Sequence, residues 1–86
     1  MFQVSAKPLE WPELKEYPNG DAQCDERHMG FVIIRRSDEP EDQRFEAAWG
    51  EGDPEFFPTL DEAKQWCQAE ADRWVREFAK VEAVAV

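Results

Sequence analysis

The chain has 86 residues, with twenty acidic side chains against ten basic ones and a formal net charge of −10. That length supports one domain with a small core, and 42% apolar with 13% aromatic content is too much for a disordered acidic tail. The acidity argues against direct contact with nucleic acid or an anionic membrane, which need Lys and Arg clusters. No apolar run reaches the ~20 residues of a membrane span.

The start, Met1-Phe2-Gln3-Val4-Ser5-Ala6-Lys7, has no basic patch followed by an apolar stretch, so no secretory leader is expected. A cytoplasmic, reducing setting follows, with Cys24 and Cys67 as free thiols; a disulfide between them is the alternative.

In chain order, Pro8, Pro12 and Pro18 interrupt any helix in the first twenty residues, and Leu9-Glu10-Trp11 reads as a short strand. Pro18-Asn19-Gly20-Asp21 is a turn, because Asn-Gly tolerates the positive φ of a tight hairpin. Ala22 to Asp25 follows as a short second strand. Gly30 to Arg36, GFVIIRR, is the clearest strand: aromatic, β-branched and introduced by glycine. The polar, proline-containing Ser37–Gln43 turns the chain, and Arg44–Trp49 alternates, placing Phe45, Ala47 and Trp49 on one face. These two runs form an antiparallel hairpin with an acidic tip.

Gly50–Glu55 reads as a loop, and Phe56-Phe57-Pro58 returns the chain to the core. Thr59 suits a helix N-cap, with Glu62 three residues on as its capping-box partner. Leu60, Ala63, Cys67, Ala71, Trp74, Phe78 and Val81 recur at spacings of three and four, one apolar stripe of a helix running from Leu60 to about Lys80 or Val81. Ala83–Val86 frays or adds a short strand. The expected fold is α+β: an antiparallel sheet of two to four strands with one long C-terminal helix packed on one face.

The charge is unevenly placed. Ser37–Glu62 holds ten acids and one base, Arg44, leaving the rest of the chain near neutral. Turns carry Asp and Glu at little cost, and Asp61 and Glu62 favour the positive start of the helix. The other reading gathers the hairpin tip, the loop and the helix start at one end as a negative patch for a basic partner. The partner-binding candidates are then Asp38, Glu39, Glu41, Asp42, Glu51, Asp53 and Glu55. Spaced carboxylates of this kind imitate a phosphate backbone toward Arg and Lys. Trp66 falls beside the apolar stripe, where it covers the sheet edge or, if exposed, is a further candidate partner anchor, whereas Trp74 and Phe78 lie in the stripe and are assigned to the core with Trp49 and Phe45.

Chemistry finds little footing. Cys24 and His28 supply half a zinc set and Cys67 a third donor, short of the four a structural site needs. The acids lack EF-hand spacing, and Gly50-Glu51-Gly52-Asp53 would repel phosphate. No metal, cofactor or enzymatic activity is expected.

The run Phe57-Pro58-Thr59-Leu60-Asp61-Glu62-Ala63-Lys64, after the Phe31–Ile34 and Phe45–Trp49 strands, resembles small phage- and prophage-encoded proteins of unassigned function. The resemblance implies a phage setting and transfers no functional residues. In size, charge and mixed α/β make-up the chain is similar to anti-CRISPR proteins. The expectation is an acidic protein, monomer or homodimer, that binds and inhibits a basic, nucleic-acid-handling host complex as a nucleic-acid mimic. The alternative is an accessory or regulatory module acting through an apolar dimer or partner interface made of Trp66, the sheet face away from the helix (Val32, Ile34 and Ala48) and the apolar tail.

Overall fold

Asn19-Gly20 turns the chain as its chemistry dictates. Gly20 adopts φ 92°, the Tyr17 carbonyl accepts the Gly20 N–H at 3.1 Å, and the Asn19 side chain accepts the Asp21 N–H at 3.1 Å. This turn joins the first two strands of a computed structural model that describes residues 7–85, with side chains as far as Glu77. The strands are β1 (Lys15–Glu16), β2 (Ala22–Asp25), β3 (Phe31–Arg35), β4 (Phe45–Trp49) and β5 (Glu55–Phe57), followed by α1 (Leu60–Ala85). A short 3-10 turn, Glu41–Gln43, lies between β3 and β4.

All neighbouring strands are antiparallel and lie in sequence order, β1-β2-β3-β4-β5. The sheet thus has five strands rather than the two to four expected. One addition is β5, three residues held between Pro54 and Pro58 and too short to show alternation. The other difference concerns the N-terminal segment. Leu9-Glu10-Trp11 forms no strand; Leu9 and Trp11 pack against the core from an irregular strap, and the first strand comes later, at Lys15–Glu16.

Register sorts the two faces. Cys24, Ile33 and Ala47 lie in one row, with Phe31 opposite Trp49 and Phe45 opposite Phe57 in the flanking rows. That face carries the helix. Phe31, Ile33 and Ala47 are fully buried against Ala63, Cys67 and Ala71 of α1. Burying each large side chain contributes about 2–3 kcal/mol. Val32, Ile34, Ala48 and the exposed Phe56 occupy the opposite face.

The helix contradicts one expectation about its tryptophans, that for Trp74. Trp66, placed beside the stripe by sequence, packs on the core, edge-on to Phe31 at 6.4 Å and against Phe57 at 5.9 Å. Trp74, assigned to the core, is 45% exposed. The centre of the buried face runs through Ala63, Cys67 and Ala71, and small residues there let the helix approach closely while Trp66 fills the flank. The helix also outruns its support. Its 26 residues span about 39 Å, against about 17 Å for a five-residue strand. Trp74 lies at the rim, edge-on to Trp49, the last residue of β4, at 5.8 Å. Helix continues to Ala85, past the expected end near Lys80 or Val81 and through most of the segment expected to fray; Val86 and the side chains of Phe78 and Val81 lie outside the described residues.

Candidate functional site

An antiparallel meander sends alternate turns to opposite ends, and this divides the acidic segment. At one end lie the β1–β2 turn, the β3–β4 tip and the start of α1. Ser37 links the two turns, its N–H donating to Asp21 at 2.8 Å and its hydroxyl to the Asn19 carbonyl at 3.2 Å. The Ser37 hydroxyl also lies 3.0 Å from the Asp21 carboxylate, and the Ser37 N–H foremost, then this hydroxyl, hold the Asp21 carboxyl below the usual range. β5 delivers the helix start to the same end, and Pro58 shares a shallow depression with Glu41, Asp42 and Arg44. The helix start, with Asp61 and Glu62, therefore lies at the same end of the sheet as Asp38, Glu39, Glu41 and Asp42.

The loop Gly50–Pro54 leaves from the other end of β4. Glu51 and Asp53 lie a strand length away from the tip, and Glu55 is the β5 residue nearest them, opposite Ala47. The expected single patch is thus two. Periodicity within each strand is local, whereas which turns share an end depends on strand order, which no local pattern carries.

The acids differ in what they do inside the molecule. Glu62 and Thr59 cap the helix: Thr59 Oγ1 accepts the Glu62 N–H at 3.2 Å, and its hydroxyl lies 3.2 Å from the Glu62 carboxylate. Glu46 pairs with Arg36 at 3.4 Å, and Glu16 with Arg35 at 3.1 Å. At the tip, by contrast, none of the Asp38, Glu39, Glu41 or Asp42 carboxylates has a hydrogen bond or ion pair among the described residues. Arg44, the base of the segment, donates instead to the Glu39 main-chain carbonyl at 3.3 Å.

Sequence reasoning missed Glu26. It is 4% exposed, and its carboxylate accepts four backbone N–H groups: Glu10 at 2.9 Å, His28 at 2.7 Å, Met29 at 2.6 Å and Gly30 at 3.1 Å. Burial by itself would raise its pKa. The donors of Met29, Glu10, His28 and Gly30 outweigh burial, so the carboxyl sits below the usual glutamate range. The signal was an acid four residues before Gly30 in a tight β2–β3 turn, a side chain placed to accept the turn's free amides. His28 and Cys24, read as half a metal site, have other surroundings. His28 is exposed and its backbone N–H serves Glu26, while Cys24 Sγ is buried 3.0 Å from the Pro12 carbonyl. Among the described residues no group of three or more His, Cys, Asp and Glu side chains is arranged to hold a metal ion. Both thiols are free and buried. Burial pushes Cys24 up and Cys67 up to about 12, which disfavours the thiolate needed for nucleophilic work.

Set against protein-family models, curated proteins and solved structures, the chain matches none. Among the described residues, no helix is long and apolar enough to cross a membrane.

Proposed function

We propose that this protein binds a basic protein surface, of the kind that holds a nucleic-acid backbone, through the β3–β4 tip. One observation carries the reading. Asp38, Glu39, Glu41 and Asp42 crowd into five positions at the end of the sheet where α1 starts, and the four tip carboxylates have no partner among the described residues. Repulsion between them is relieved by Arg and Lys from outside, through charge-assisted hydrogen bonds. A carboxylate cluster on a rigid turn then occupies a phosphate track, and nucleic acid is excluded. In a phage setting that makes the protein an inhibitor of host nucleic-acid-handling machinery, working by occupancy without chemistry.

The test captures proteins from a host lysate on the immobilised chain and elutes with nucleic acid or with salt. A protein released by nucleic acid, captured less as salt rises, and lost when Asp38, Glu39, Glu41 and Asp42 are changed to Lys supports the reading. Capture indifferent to the four reversals refutes it.

A further inference from the structure

Trp49 and Trp74 make a corner at the end of the sheet away from the tip. The rings stand at 88° with centroids 5.8 Å apart. Trp49 is held firmly: it stacks on the fully buried Phe31 at 5.0 Å, and its indole N–H donates to the Met29 carbonyl at 2.9 Å. Trp74 stands 45% exposed where the helix runs past the sheet. Together with Glu70, Arg73 and Glu77 the two indoles line a depression of ≈ 350 Å³.

The chemistry of that lining selects a cation. Indole faces attract positive charge through the ring quadrupole, and carboxylates stand on the same wall. Arg73 pairs with Glu70, whereas Glu77 is exposed and has no ion-pair partner among the described residues. The loop that follows Trp49 in sequence carries Glu51 and Asp53, both exposed. A guanidinium suits this surface better than an ammonium. It is planar, stacks on an indole and forks onto a carboxylate, while an ammonium is a strongly hydrated point charge. Because Trp49 is already fixed by its stack and its hydrogen bond, little ordering is needed on binding.

We propose that the Trp49–Trp74 corner is an arginine-binding pocket that takes a guanidinium side chain from the basic protein partner, with Glu77 as its carboxylate. The inference rests on the proposed function, since it names a second anchor for the same class of partner. The two acidic ends then have different duties: the tip supplies diffuse attraction, and the corner reads one side chain.

The experiment measures binding of a fluorescent nine-residue arginine peptide and of its lysine counterpart, at fixed ionic strength. The wild-type chain should prefer arginine by roughly tenfold. Trp74→Ala, at an exposed position, should remove most of that preference while leaving the salt-dependent attraction to both peptides, and Glu77→Gln should reduce it by roughly threefold. An arginine-to-lysine ratio that is the same in wild type and in Trp74→Ala overturns the pocket, and so does a wild type with no preference. Lysine reversal of the four tip acids should weaken both peptides together and leave the ratio intact. If that variant binds both as wild type does, the tip fails as an interface; if only the ratio test fails, the tip survives and the pocket does not.

Discussion

Glu26 and the tip acids are the same chemistry put to opposite uses at opposite ends of one sheet. Glu26 is buried in the β2–β3 turn, where its two oxygens gather four backbone N–H groups and tie the N-terminal strap to the sheet. Asp38, Glu41 and Asp42 are exposed, and neither their carboxylates nor that of Glu39 accepts a hydrogen bond or ion pair from the described residues. A net charge of −10 counts all of these alike. The structure separates a carboxylate that holds the fold together from carboxylates that only repel one another, and the latter are the ones free for a partner.

The strongest way to break this contrast is at Glu26. Glu26→Ala leaves the amides of Glu10, His28, Met29 and Gly30 to find other acceptors. With buried donors costing roughly 1–3 kcal/mol each and water replacing some of the loss, a destabilisation of about 3 kcal/mol is expected in urea unfolding. The same carboxyl sets a pH dependence. Its folded pKa is depressed, so its stabilisation is complete above the unfolded glutamate value of about 4.3. It is lost as pH falls through the folded value. Unfolding midpoints that decline with acidification for wild type, and less for Glu26→Gln, would confirm the sign. A flat difference between the two would remove Glu26 from that role.

The helix cap is intermediate. Thr59→Ala deletes the acceptor of the Glu62 N–H and should cost about 1 kcal/mol, measured by the same denaturation. Smallest of all, each of Asp38→Lys, Glu39→Lys, Glu41→Lys and Asp42→Lys should change stability by no more than about 0.5 kcal/mol, in the stabilising direction as repulsion is relieved. A loss of about 2 kcal/mol at any of the four would mean that the acid has a structural duty, and the contrast with Glu26 would weaken.

How far the residues could be read depended on how local their signals are. The Asn19-Gly20 turn, the Phe31 and Phe45 strands, and the Thr59 cap were legible because each depends on neighbours within a few positions. The exposure of Trp74 was not. Trp66 and Trp74 are eight residues apart on one helix, and a stripe drawn at 100° per residue favours Trp74 for the core. What decides is where the sheet ends: Trp66 lies over Phe31 and Phe57, whereas Trp74 has reached the rim beside Trp49. Glu26 was legible only in part: His28, Met29 and Gly30 are local donors, whereas the fourth, Glu10, comes from sixteen residues earlier.

Sequence by itself determined the α+β class, the hairpin from β3 to β4, the helix start and the clustering of acids in Ser37–Glu62. These follow from turn chemistry, alternation, capping and composition, all short-range. Tertiary structure alone decided that the sheet has five strands, that the acids divide between two ends, that Glu26 is interior, and that the exposed indole is Trp74. Those depend on strand order and on the helix being longer than the sheet it covers, and no window of neighbouring residues contains either.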